Sequence, residues 1–229
     1  MRSTFVTGTD TGIGKTLVCG SLLANLAGAG IRAAGMKPVA SGSTQTARGL
    51  RNDDALSLVA NSASEPDYAD VNPYAFAEPI APHLAAADAN VTIDLETIAA
   101  AFSRLAADAS CVVVEGVGGW MAPLGSQLMQ RDLALRLRLP VILVVGLRLG
   151  CINHALLSAR AILDDGCEFI GWIGNEVDPA MLRVGDNVET LRKTIPAPCL
   201  CVLPFASDAS PATMAHRLAP ARERLLQAV

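Results

Sequence analysis

Two hydrophobic rhythms alternate along this chain of 229 residues. Short runs rich in Val, Ile and Leu predict strands at 2–7, 33–39, 110–115, 141–145, 169–174 and 200–203. Between them, apolar residues three or four positions apart predict helices at 16 to about 29, 53–61, 95–107, 131–138, 153–164 and 181–194. Val112-Val113-Val114 and the 141–145 run are apolar throughout rather than alternating, as strands are when helices cover both faces of their sheet. The order strand, helix, strand repeated along a chain predicts an α/β fold with a mostly parallel central sheet and helices on both faces. No linker or compositional shift divides it, so residues 1–229 read as a single domain. Pro66, Pro73, Pro79 and Pro82 predict an irregular segment over 62–81, long enough for a functional role.

Between the first strand and helix lies Gly8-Thr9-Asp10-Thr11-Gly12-Ile13-Gly14-Lys15-Thr16, which reads as a phosphate-binding loop. Its glycines let backbone N–H groups turn toward phosphate oxygens, Lys15 reaches the outer phosphates and Thr16 a Mg²⁺. Five residues separate Gly8 from Gly14 where the usual spacing is four. Either the loop is a variant or Thr9 takes the first glycine's place. Nucleotide binding follows; the reaction does not.

In an open parallel sheet ligands bind beyond the carboxyl ends of the strands, which directs attention to the residues there. Lys37 and Ser41 follow the second strand. Glu115 ends a fully apolar run ahead of Gly116-Val117-Gly118-Gly119, the arrangement of a carboxylate holding Mg²⁺ directly or through water. Asp53 and Asp54 open a helix, where propensity makes one of them an N-cap. Gly150-Cys151-Ile152-Asn153 leads from a strand into a helix whose free N–H groups suit an anion such as a substrate carboxylate. Asn175, after the fifth strand, is either a turn residue or a partner for a purine edge. His83, His154 and His216 fall into no nucleophile-and-base pattern, and none is assigned to catalysis.

Charge narrows the partners. A net charge of −4 with scattered Lys and Arg offers no basic face for nucleic acid. No apolar run approaches the roughly 20 residues needed to cross a bilayer, and no charged, apolar leader opens the chain, so a cytoplasmic location is expected. The six cysteines lack zinc spacing, and four sit in apolar patterns; reduced thiols and no structural metal are expected.

The phosphate loop, Lys37-Pro38-Val39-Ala40-Ser41-Gly42, Val114-Glu115-Gly116-Val117-Gly118-Gly119 and Leu149-Gly150-Cys151-Ile152-Asn153-His154 together resemble the dethiobiotin synthetase family, with supporting pieces at 50–54, 71–74, 77–79 and 82–83. The likeness runs from Phe5 to about Pro204. Gly12 stands where some members of that family carry glutamate, and the tail after Pro204 departs from the pattern. The resemblance implies a P-loop fold and an ATP- and Mg²⁺-dependent ring closure in biotin synthesis. In that reaction CO₂ joins 7,8-diaminononanoate through an N-carbamate and a carbamic-phosphoric anhydride. It implies charge stabilisation by Lys15 and Lys37, and ATP contacts from Thr11, Gly12, Ile13, Gly14, Lys15, Thr16, Leu17, Asp54, Glu115, Gly118, Asn175 and Pro204. It further implies Mg²⁺ at Thr16, Asp54 and Glu115, and substrate held by Lys37, Ser41, Gly118, Gly150, Cys151 and Asn153. The last three would serve across a homodimer interface. The competing class is a partitioning-type nucleotide switch, which carries a lysine near the position of Asp10. A glutamine-dependent amidating ligase would need a further domain for which there is no room.

Overall fold

The computed structural model describes residues 2–227. Six parallel strands form the central sheet: β1 (Thr4–Gly8), β2 (Ala33–Met36), β3 (Cys111–Glu115), β4 (Val141–Leu147), β5 (Phe169–Glu176) and β6 (Cys199–Leu203). Their order across the sheet is β6-β5-β4-β1-β3-β2, with Phe5 of β1 in register with Val114 on one side and Val141 on the other. The chain leaves β1 toward β2 at one edge and later returns to β4 on β1's other flank. The strand order therefore reverses beside β1, where a ligand crevice opens in such sheets.

Strand side chains alternate between two apolar layers. Val112, Val114, Leu143 and Val145 join a core with Ile98, Leu105, Leu133, Ala155 and Leu191 from the helices on one face. Cys111, Val113, Ile142 and Val144 join Val18, Leu22, Leu26, Leu218 and Leu225 on the other. Both faces are covered, which is why the sequence runs of β3 and β4 show no period of two. Each fully buried aliphatic side chain contributes on the order of 2 kcal/mol, so these strands anchor the loops at their carboxyl ends.

The expected elements are present with shifted ends, and several shifts have a local cause. The second strand stops at Met36 instead of running to Val39, because Pro38 has no N–H to continue the ladder; the Lys37 N–H donates to Val71 O instead. Val39–Ala40 then pairs with Tyr74–Ala75 as a separate two-stranded ribbon. The proline-rich segment is thus partly regular, with a short helix at Tyr68–Val71 capped by Asp67. Helix α1 covers Lys15–Gly28 and α2 covers Asp53–Asn61. The α2 N-cap is Asn52 rather than Asp53 or Asp54: its side chain accepts from the backbone N–H groups of Asp54 and Ala55 at 3.1 and 3.3 Å. Helix Cys151–Asp164 begins two residues earlier than expected, and Val184–Thr194 three later, after Arg183 takes a left-handed conformation. A polar hairpin of Thr44–Thr46 with Gly49–Arg51 and a Pro82–Asp88 helix have no counterpart in the sequence reading. All six cysteines are free thiols. Among the described residues no helix is long and apolar enough to cross a membrane.

Candidate active site

The phosphate loop begins at Thr9. Its N–H still donates to Val144 O at 3.0 Å and its Oγ1 accepts from the Gly146 N–H, so pairing with β4 continues one residue past Gly8 before the loop turns. The turn itself spans Asp10 to Gly14, with Gly12 and Gly14 at φ 73° and 85°. Ile13 is buried beneath the loop; a Cβ on Gly8 or Gly146 would come within 2.6 or 2.5 Å of its side chain, so both strand glycines make room for that anchor. Asn175 Nδ2 donates to Ile13 O at 2.9 Å, bracing the loop from below. Asp10 accepts from the Thr11 N–H and pairs with Arg148. Lys15, 6 % exposed, rests its ammonium on Asp10 O at 2.8 Å. Burial, reinforced by the positive charge of Lys37, lowers its pKa to about 8. Helix α1 starts behind Gly14 with no side-chain cap, leaving backbone donors for an anion.

Facing the loop is a cluster of fixed charges. Lys37, at the end of β2, is 3 % exposed, and its Nζ donates to Glu115 Oε1 at 2.6 Å and to Asp54 Oδ2 at 2.7 Å. Burial alone would depress its pKa, but the two carboxylates outweigh it and raise the value. Asp54 is the reverse case. Burial pushes it up, the Lys37 charge and hydrogen bond pull it down, and the net shift is downward. Thr16 Oγ1 donates to Glu115 Oε1 at 2.8 Å, joining the loop to the cluster. Glu115 Oε2 is buried and, among the described residues, has no hydrogen-bond partner. A buried carboxylate oxygen left free beside a hydroxyl and a second carboxylate is a hard-oxygen donor set that suits Mg²⁺. No cluster of three or more His, Cys, Asp or Glu arranged for a metal occurs among the described residues, so such an ion would complete its shell with phosphate and water oxygens.

Loop and cluster form opposite walls of a cavity of about 790 Å³. Of the residues expected from sequence, Thr11, Gly12, Gly14, Lys15 and Thr16 line one wall, and Lys37, Ser41, Asp54, Glu115 and Gly118 the other. Ser41 Oγ is buried there, with no partner among the described residues. Ile13, Leu17, Asn175 and Pro204 do not line the cavity. Ile13 and Leu17 pack into the core, Asn175 holds the loop, and Pro204 follows β6. Gly150, Cys151 and Asn153 also lie outside it, at the start of the helix after β4. Gly150 has φ 95°, Asn153 is exposed, and the Cys151 N–H already donates to Arg148 O. Lining groups not named among the expected site residues are Asn52, whose position before a helix start is a legible cap signal, Ala122-Pro123, and the 79–82 stretch, most of which belongs to the 62–81 segment expected to have a functional role.

A parallel sheet whose central strand feeds a phosphate loop and helix defines a P-loop nucleotide-binding protein. A family model described as an AAA domain matches residues 2–213. Solved structures share the fold alone. MinD of Aquifex aeolicus superposes with TM-score 0.58 at 13% identity over 98% of this chain and 94% of that one. A ParA family ATPase of Chlorobium tepidum TLS gives 0.56 at 15%, over 98% and 95%. Much closer in sequence is a protein of Xanthomonas euvesicatoria pv. vesicatoria (strain 85-10) named ATP-dependent dethiobiotin synthetase BioD, 56% identical over 93% of this chain and 96% of the relative. Its namesake from Xylella fastidiosa (strain 9a5c) is 53% identical over 94% and 96%. The chain belongs to the ATP-dependent dethiobiotin synthetase family and is a ligase.

Proposed function

We propose that this chain closes the ureido ring of dethiobiotin from 7,8-diaminononanoate and CO₂ at the expense of ATP, a step of biotin biosynthesis, as a single-domain cytoplasmic subunit of a homodimer. One amine of the diamine adds to CO₂ and loses a proton, giving an N-carbamate. A carbamate oxygen attacks the γ-phosphorus and ADP leaves. The second amine then attacks the carbonyl carbon of the mixed anhydride, the bond to the phosphate oxygen breaks, and phosphate departs. Negative charge is created or moved at each step, and no protein nucleophile is required.

The observation that carries this reading is the Lys37 ammonium, fixed 2.6 and 2.7 Å from two carboxylates and facing the phosphate loop across the cavity. Held there, Lys37 stabilises charge on the transferring phosphoryl group from the carbamate side while Lys15 does so from the loop. Thr11, Gly12, Ile13, Gly14 and Leu17 belong to the loop and helix start that cradle ATP. Asn175 and Pro204, at the ends of β5 and beyond β6, serve the base. Thr16, Asp54 and Glu115 would hold Mg²⁺, which would supply neutralisation of phosphate charge. Ser41, with its unpartnered buried hydroxyl, and the Gly118 backbone receive the diamine and carbamate. Gly150 and Asn153 offer the helix start after β4 to the substrate's distant carboxylate in a neighbouring protomer. Cys151 contributes position only, since its N–H is engaged and its thiol is buried.

Phosphate release from ATP and Mg²⁺ in bicarbonate buffer tests the reading, run with and without 7,8-diaminononanoate and with product mass determined. Stoichiometric phosphate and dethiobiotin, both requiring the diamine, are expected. Phosphate release indifferent to the diamine would instead favour a nucleotide switch.

A further inference from the structure

Gln130 is 1 % exposed, stands at the first turn of helix Gln130–Leu137, and has no part in the reaction scheme above. Its side-chain amide uses all of its donors. Nε2 donates to Gly119 O at 2.9 Å and to Thr7 Oγ1 at 3.1 Å, while Oε1 accepts from the Val117 N–H. The orientation of the amide follows from its neighbours, because the Val117 N–H needs an acceptor and Gly119 O a donor. The Gln130 backbone N–H also donates to Ala122 O at 2.8 Å. Thr7 lies on β1 just ahead of the phosphate loop, so one buried side chain ties the loop after β3 to the strand that carries the phosphate loop. Gly116 makes the approach possible: a Cβ there would lie 2.6 Å from Gln130 Oε1.

We infer that Gln130 is the positioning residue for the 116–119 loop, setting the Val117, Gly118 and Gly119 backbone that walls the carbamate side of the cavity. This rests on the proposed function, which places diamine and carbamate there. Only a neutral amide of this length supplies one acceptor and two donors together. Methionine has the length and neither function: it leaves the Val117 N–H without its acceptor and Thr7 Oγ1 without its donor, while Gly119 O keeps only the Ala122 N–H.

The test compares wild type, Gln130→Met and the milder Thr7→Val, which removes one of the three contacts. Hydrogen exchange is followed at the 117–120 amides, ATP affinity is measured by calorimetry without the diamine, and diamine-dependent turnover is measured separately. For Gln130→Met the loop amides should exchange at least about tenfold faster. The kcat/KM for the diamine should fall by about tenfold or more while the ATP Kd stays within about twofold, with Thr7→Val between. Unchanged loop exchange overturns the inference, and so does an equal loss of ATP and diamine affinity, which marks a packing defect alone. Wild type without diamine-dependent phosphate release overturns the proposed function instead, and the exchange result still decides whether Gln130 holds the loop.

Discussion

The two walls of the cavity carry one lysine each and are built on opposite principles. The phosphate-loop wall is made of backbone: left-handed glycines, an uncapped helix start, and Lys15 resting on a single carbonyl oxygen. The other wall is made of side chains, with Lys37 clasped by Glu115 and Asp54. Burial works against both ammonium groups. It prevails at Lys15, aided by Lys37, and the pKa falls to about 8; at Lys37 the carboxylates prevail and the pKa rises. The first wall therefore holds a charge that lacks its counterion until an anion arrives. The second has its charge locked before any ligand binds, so nothing need reorganise when phosphoryl charge moves.

The largest effect should come from removing the locked charge. Lys37→Gln is expected to lower turnover by about 10²–10³ while ATP affinity changes little, read by phosphate release and calorimetry. It should also destabilise the fold by roughly 3 kcal/mol, since Glu115 is left as an uncompensated buried carboxylate. Near-normal turnover would remove Lys37 from the chemistry. Lys15→Met sharpens the contrast with opposite signs. ATP Kd should rise about 100-fold, whereas the melting temperature of the ligand-free protein should rise rather than fall, because a charge costing on the order of 1–3 kcal/mol to bury is gone. A lower melting temperature would mean that the two walls do not differ as described.

Next in size, Glu115→Gln and Asp54→Asn should raise the Mg²⁺ concentration for half-maximal turnover about 10- to 100-fold, more for buried Glu115 than for half-exposed Asp54. Superimposable Mg²⁺ titrations for wild type and both variants would refute the metal assignment. The smallest effect belongs to the scaffold. Asn52→Ala removes the α2 cap beside Asp54 and should cost about 1 kcal/mol, a fall of roughly 2–4 °C in melting temperature for a chain of this size.

Legibility in the sequence followed the same division between backbone and side chains. The six sheet strands were readable because their apolar runs must be covered on both faces, and the phosphate loop because glycines followed directly by Lys-Thr stand between a strand and a helix, even with one residue more than the usual spacing. Lys37 and Glu115 were readable as residues at strand ends, but not as an ion pair, since that contact joins positions 78 apart. The polar hairpin at 44–51 escaped because one of its strands is exposed and the other only half-buried, so neither buries a face that would leave a period of two. The break after Met36 was written in Pro38 and passed over in favour of an apolar run. Asn175 was expected just after a strand and instead lies within β5, and its bracing of Ile13 depends on Gly14: a Cβ there would lie 2.2 Å from its Nδ2. Gln130 carried no signal, because a glutamine at a helix start is ordinary and its partners come from three separate segments.

The claim that one lysine waits for its counterion is tested most directly by counting protons. With a free-state pKa of about 8, Lys15 is charged below that pH and largely neutral at pH 9, and bound phosphates draw the value back up. Calorimetric titration of ATP at pH 9, in buffers of different ionisation heat, should therefore show uptake of close to one proton in wild type and almost none in Lys15→Met. Near pH 6.5 the same titration should show little uptake at Lys15 in either protein. Buffer-independent heats for wild type at pH 9, or uptake that persists in Lys15→Met, would contradict the account.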